Sequence, residues 1–402
     1  MSELLNKFLP LEAKRSELVA IGGADPFHVV VERVVSPTEA IVDGKQVIMA
    51  GTNNYLGLTF DPESIDAACS AVRDEGTGTT GSRMANGSYG AHIALEQELA
   101  EFYACPTAIV FSTGYIANLG ILSTLTGPGD VILMDSDCHA SIYDGTRLGA
   151  AQVIRFRHND TSNLERRLQR LEDKAKRTLV VVEGIYSMLG DRSPLQEIVE
   201  VKKRYGASLL VDEAHSLGVL GEHGRGLAEE LGVEDQVDFI TGTFSKSLGS
   251  IGGFCVSRWA ELEFMRYAMR PYIFTASSSP SLIASTRIAL KKLNKGAGLR
   301  KQLWANAHQL YKGLAAMGFE LGPQVSPVIS IRLPVSMEEA PGLWGELLSK
   351  GIYVNLVLPP ATPDGGCLLR CSLSAAHSPE QIDRILAAFS GIREKTAAEQ
   401  SG

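Results

Sequence analysis

The sequence predicts an α/β protein: a large, mostly parallel sheet covered by helices, followed by a smaller α+β region. Two observations carry this. Between about residue 90 and residue 257, short β-branched runs alternate with amphipathic helical patterns, as they do when strands return to one sheet through helical crossovers. From about residue 280 the alternation gives way to long helical patterns and fewer strands. At 402 residues the chain has room for two or three domains of about 100–200 residues each, so a large apolar core can hold it together without metal or disulfide staples.

Taken in order, residues 1–50 read as a helix and a strand-rich arm, 51–280 as the large domain and 281–402 as the smaller one. The strands expected in the large domain are Thr107–Phe111, Val131–Asp135, Val153–Phe156, Leu179–Glu183, Leu209–Asp212, Phe239–Thr241 and Gly253–Val256. The helices between them carry start and stop signals: Ser193-Pro194 opens LQEIVEVKKRYG, whose apolar residues recur at helical spacing until Gly206 ends it. Beyond 280, helices are expected around 281–294 and 299–317, a strand at 327–332, a helix near 337–350, and strands at 352–357 and 367–373.

Composition narrows the function classes. Net charge is −8, from 38 Lys+Arg against 46 Asp+Glu, which argues against a nucleic acid as main partner. The longest apolar runs, such as Thr178–Val182, fall far short of the roughly 20 residues a membrane span needs. MSELLNKFLP lacks the basic and apolar regions of a secretion signal, and six scattered cysteines without a C-x-x-C pair read as reduced thiols, so the expected compartment is the cytoplasm.

Three motif matches carry little. Gly76, Gly78 and Gly81 have dinucleotide-fingerprint spacing, but IDAACSAVRDE before them reads as helix where that fingerprint needs a strand. VDEAH at 211–215 matches a helicase box without the P-loop a helicase requires. Asp212, His215 and His223 fit no usual zinc spacing, and His223 sits in the glycine-rich loop GEHGRG as a solvated residue would, so no metal site is expected.

What remains gathers around one lysine. Lys246 follows the strand Phe239–Thr241 in the small-residue loop GTFSKSLGSIGG, an odd place for a surface charge and a suitable one for an amine that forms Schiff bases. Asp212 ends the apolar strand Leu209–Asp212, the edge at which open α/β sheets bind ligands. Gly114 and Tyr115 begin a helix after the strand Thr107–Phe111, offering free N–H groups to a phosphate. His139 stands just past the strand Val131–Asp135, with a ring able to lie flat on another. A Schiff-base lysine, an acid for a pyridinium nitrogen, a phosphate cup and a stacking histidine are together what pyridoxal 5'-phosphate (PLP) needs.

These residues also carry a resemblance. From NNYLGL (53–58) to LLRCSLSAAH (368–377), the chain resembles the α-oxoamine synthases, fold-type-I PLP-dependent transferases of the aspartate aminotransferase-like class. It is most similar to their soluble bacterial serine palmitoyltransferase branch, through GSRMANG (81–87), FSTGYIANLGI (111–121), DSDCHASIYDG (135–145), EGIYSMLGD (183–191), VDEAHSLGVLG (211–221), GTFSKSLGSIGGF (242–254) and RPYIFTAS (270–277). The resemblance implies that Lys246 holds the cofactor and takes the substrate Cα proton, with Asp212 on the pyridinium nitrogen. His215 would bond the phenolic oxygen, and His139 would stack on the ring and meet the substrate carboxylate. Phosphate contacts would come from Gly114, Tyr115, Thr243, Ser245 and Thr275 of the partner subunit, which makes the expected enzyme a homodimer with shared sites. Arg370 would bind the substrate carboxylate, with Asn54 and Ser82 also on the substrate side. The implied reaction joins L-serine to a long acyl thioester, carried by CoA or an acyl carrier protein, in the first step of sphingolipid synthesis. It would run in the cytoplasm, with the inner-membrane surface as the other place for so amphiphilic a donor.

Two positions depart from that branch: Asn53 stands where it carries Tyr, and Leu358 where it carries Arg. The NNYLGL form is more like relatives that use glycine or alanine, of the 2-amino-3-ketobutyrate CoA ligase or 8-amino-7-oxononanoate synthase type, so a sister condensation is the alternative. A non-catalytic scaffold of the same fold is a third reading, and the presence of Lys246 argues against it.

Overall fold

A computed structural model of the chain describes residues 3–363 and 365–401. They group into two units: 1–55 with 188–190 and 301–402, and 56–187 with 191–300.

In the first unit, helix Leu9–Gly22 starts with a proline in its first turn and stops at Gly23, whose φ of +73° suits a residue without a side chain. Strands β1 (Arg33–Ser36), β2 (Glu39–Val42) and β3 (Lys45–Met49) follow as an antiparallel meander. Asp43-Gly44, with φ of +48° and +70°, turns β2 into β3, the dipeptide a two-residue hairpin favours.

The second unit holds the large sheet: β4 (Thr107–Phe111), β5 (Val131–Asp135), β6 (Gln152–Phe156), β7 (Thr178–Glu183), β8 (Ser208–Asp212), β9 (Phe239–Thr243) and β10 (Gly253–Ser257). Their order is β4-β10-β9-β8-β7-β5-β6; β10 runs antiparallel to both neighbours, and the pairs from β9 to β6 are parallel. Every residue of β4, β5, β7, β9 and β10 is buried, as a sheet with helices on both faces demands. Its apolar core includes Ile109, Ile121, Ile132, Val181 and Leu210. Each of the seven expected strands is present. Helix Leu195–Tyr205 ends at Gly206 with φ +69°.

The first unit continues with β11 (Val328–Leu333), β12 (Ile352–Tyr353), β13 (Asn355–Val357) and β14 (Cys367–Ser372). The strand expected over 352–357 is divided, because Ile352–Tyr353 pairs in parallel with β3 while Asn355–Val357 pairs with β14. The β3–β12 pairing also places the N-terminal arm in the unit of the C-terminal strands, a grouping no local pattern announces. Helix Pro280–Asn294 belongs with the large sheet's unit, packing on helix Pro62–Glu75, where Lys292 lies 3.0 Å from Glu63. An amphipathic stripe says that a helix is covered, not by which neighbour. No described helix is long and apolar enough to cross a membrane.

Candidate active site

The carboxyl ends of β5, β7, β8 and β9 open onto a cavity of about 260 Å³, lined among others by Gly114, His139, Asp212, His215 and Lys246. The parallel topology dictates the place: each strand ends on the same edge, and the residue that follows it is free to face a ligand. Tyr115, Thr243 and Ser245 line the cavity as well. Lys246 is half-buried there.

One wall is built for an anion. Helix Gly114–Leu125 is capped by Thr113, whose hydroxyl accepts the Ile116 N–H at 3.1 Å. The earlier N–H groups of that turn are left to a ligand. A Cβ on Gly114 would meet the Thr243 Cβ at 2.8 Å, so glycine is what lets the helix start so close to β9. Thr243 Oγ1 lies 2.9 Å from Ser245 Oγ, which gathers two hydroxyls at the same wall. The Tyr115 hydroxyl donates to Asp144.

The opposite wall carries the titratable groups. Asp212, at the end of β8, accepts the Ala214 N–H at 2.9 Å on one oxygen and the Asn118 side-chain amide at 2.7 Å on the other. Its register partner on β7 is Glu183, fully buried, and burial together with the Asp212 charge pushes Glu183 well above the usual carboxylate range. Glu183 accepts the backbone N–H of His139. The ring of His139 caps helix Ala140–Leu148, its Nδ1 lying 3.2 Å from the Ser141 N–H and 2.8 Å from the Ser141 hydroxyl. Desolvation, opposed by Asp212 and aided by Lys246, holds His139 below its ordinary pKa.

The other expected residues lie elsewhere. Ser82 pairs with Ala276 in an isolated bridge, and Thr275 lines a separate small cavity with Arg83, His92 and Tyr272. Arg370 and Asn54 belong to the first unit. Arg370, on β14, is buried; it donates to Asn53 Oδ1 at 3.0 Å, and its Nε finds no partner among the described residues. Asn54 donates to the Pro37 carbonyl. Leu358 is buried. The motifs set aside keep their bland readings: Gly76 follows helix Pro62–Glu75, and exposed His223 pairs with Glu229 at 2.5 Å.

Asn118, Ser141, Thr241 and Glu183 are functional neighbours that reading motif by motif passed over. Asn118 stands four residues after Gly114, hence on the same helix face, and that spacing is the signal that finds it.

The aminotransferase class I and II family model matches residues 45–389. The chain belongs to that family. Within it, a serine palmitoyltransferase from Caulobacter vibrioides is 58% identical over 370 residues, 92% of this chain and 91% of the relative. One from Sphingomonas paucimobilis is 51% identical, over 96% of this chain and 92% of its own. A solved structure of a lysine-to-alanine variant of the S. paucimobilis enzyme with a bound PLP–myriocin aldimine superposes with a TM-score of 0.95 at 49% identity, covering 99% of this chain and 100% of that one. These family members share the fold-type-I architecture expected from the motifs.

The residues present fit PLP. The Gly114 turn with Thr243 and Ser245 suits its phosphate, Asp212 its ring nitrogen, and Lys246 its aldehyde, and a side chain at Gly114 would fill the cradle.

Proposed function

We propose that the chain is a PLP-dependent acyltransferase that joins L-serine to a long-chain acyl thioester, palmitoyl-CoA, giving 3-oxosphinganine, CoA and carbon dioxide. The observation that carries this is the convergence of Lys246, Asp212, His139 and the Gly114 helix start in one cavity, in a family member 58% identical to a serine palmitoyltransferase.

Bound PLP supplies an aldehyde for the amino acid's nitrogen and a protonated ring that draws electrons from the Cα. The chain's own groups do the rest. Lys246 holds the cofactor, then takes and returns the proton at the substrate Cα through its Nζ. Asp212 would accept from the ring nitrogen and so favour its protonated form. His215 would bond the phenolic oxygen, and His139 would cover the ring and meet the substrate carboxylate. Arg370 binds that carboxylate through a guanidinium fork whose Nε has no partner among the described residues; Asn54 and Ser82 complete the substrate side. Gly114, Tyr115, Thr243 and Ser245 bind the phosphate, together with Thr275 of the partner subunit, which makes the working form a homodimer. The acyl donor is carried by CoA, with an acyl carrier protein as the second carrier to try, and the reaction runs in the cytoplasm or at the inner-membrane surface.

Asn53 beside Arg370 supports the competing reading, a sister condensation of glycine or alanine. Titrating the holoenzyme with L-serine, glycine and L-alanine, and following its visible band, separates the two. A saturable change with serine supports the proposal. A response to glycine or alanine alone moves the chain to a sister synthase, and a protein that forms no such band with added PLP overturns both.

A further inference from the structure

Asn118 is 2% exposed and its side-chain amide is fully engaged. Nδ2 donates to Asp212 Oδ2 at 2.7 Å and to Ser141 Oγ at 2.9 Å, and Oδ1 accepts the Thr241 hydroxyl at 2.9 Å. Gly145 makes this possible: a Cβ there would meet the Asn118 carbonyl at 2.9 Å, so glycine lets helix Ala140–Leu148 bring Ser141 against helix Gly114–Leu125.

Donor chemistry fixes the direction of every bond. An ionised carboxylate only accepts, so Nδ2 must face Asp212 and the Thr241 hydroxyl must donate to Oδ1. Ser141 Oγ receives an Asn118 hydrogen and keeps its own for His139 Nδ1. The Ser141 backbone N–H, also directed at Nδ1, cannot accept. In a neutral imidazole the proton then resides on Nε2. The low pKa of His139 keeps the ring in the neutral form for which this choice matters.

We propose that Asn118 is a positioning residue that joins Asp212 and His139 into one polarised chain, holding the aspartate as an ionised acceptor and, through Ser141, the histidine as its Nε2–H tautomer. The proposal rests on the reading of this cavity as a PLP site. Without the Asn118 hydrogens, Asp212 loses a charge-assisted bond and the Ser141 hydroxyl is no longer oriented toward Nδ1, which leaves the backbone N–H at 3.2 Å alone to hold the Nε2–H tautomer.

The test uses Asn118→Leu, close in volume, with nitrogen-15 NMR of labelled PLP in the holoenzyme and of labelled histidine in the apoprotein, His139 being identified by the signal missing from His139→Gln. In the wild type the PLP ring nitrogen is protonated and His139 carries its proton on Nε2. In Asn118→Leu the ring-nitrogen shift moves toward the unprotonated form, the His139 nitrogens move toward a tautomer mixture, and PLP affinity falls about tenfold or more. Added to Asp212→Asn, the same change costs little further affinity, because it acts through Asp212. Unchanged nitrogen shifts, or a fully additive loss, overturn the proposal. Should Asn118→Leu fail to fold, Thr241→Val removes only the brace on the amide; the same shifts, smaller, are expected, and their absence overturns it. A wild-type protein that binds no PLP would instead sink the underlying reading.

Discussion

Two histidines stand past the ends of neighbouring strands, and their surroundings leave one neutral and the other charged. His139, after β5, has its Nδ1 occupied by donors from Ser141 and stays below its ordinary pKa. His158, after β6, bridges two carboxylates, with Nδ1 2.9 Å from Asp135 and Nε2 2.7 Å from Asp191. Burial opposes its charge, yet those bonds push it up to about 10. Asn159 adds to the same knot, donating its N–H to Asp135 and its side-chain amide to Asp191, each near 2.9 Å. Asp135, Asp137 and His158 lie close enough to share an ion, but the imidazolium already supplies the positive charge. One histidine is kept neutral in the cavity wall; the other is a cation that ties two loop ends together. A residue's type says nothing of this. Burial, and whether carboxylates stand by to offset it, decides it.

The contrast can be broken by experiment, most severely at the chemical end. Lys246→Ala should lower turnover by about 10³-fold or more with no loss of thermal stability, since a half-buried lysine in a cavity wall is there for reaction rather than packing. Normal turnover in that variant would overturn the mechanism. Asp212→Asn should fold and lose about 10²-fold in kcat, because a neutral amide cannot hold the ring nitrogen's proton; unchanged kinetics would remove Asp212 from the site. Arg370→Ala should raise the KM for serine by about tenfold to a hundredfold and leave the KM for the acyl donor nearly unchanged, and equal effects on both would disqualify it as the carboxylate clamp.

The smallest effect on rate belongs to the other histidine. His158→Gln should alter kcat little and change stability instead. The folded pKa, about 10, lies above the unfolded value of about 6.5, so the stabilisation is complete below about pH 6.5 and is lost as pH rises toward 10. Thermal denaturation between pH 7 and pH 10 should therefore show a falling Tm in the wild type and a flatter curve in the variant. A variant that keeps the wild-type slope while losing activity would erase the distinction between the two histidines.

Much of the large sheet was legible because β5, β7 and β8 are apolar runs closed by a polar residue, Asp135, Glu183 and Asp212 in turn. The same punctuation drew attention to His139 and Lys246, which stand in the loops just past β5 and β9. The division of 352–357 was not legible, since an apolar run does not record that its two halves pair with different sheets. Asn118 was hidden for a related reason: in YIANLGIL it reads as one polar residue in an apolar helix, and its hydrogen bonding depends on Thr241 of β9, far along the chain. The placing of Ser82 outside the lining of the Lys246 cavity likewise follows from tertiary packing that no motif spells out.

The segment from 244 to 252, which bears Lys246, joins β9 to β10, two adjacent antiparallel strands. It is closed on itself: Phe244 N–H donates to the Gly252 carbonyl and Ser250 N–H to the Phe244 carbonyl, each at 3.0 Å. Beyond it Gly253 presses on the phosphate-side helix, where a Cβ would meet the Gly114 nitrogen at 2.5 Å. The Lys246 loop and the start of helix Gly114–Leu125 are thus one mechanical part, like the jaw and anvil of a single tool. An insertion or deletion inside this loop would ruin both at once, so tinkering with substrate preference, whether by breeding or by design, has to work on other stretches of the chain.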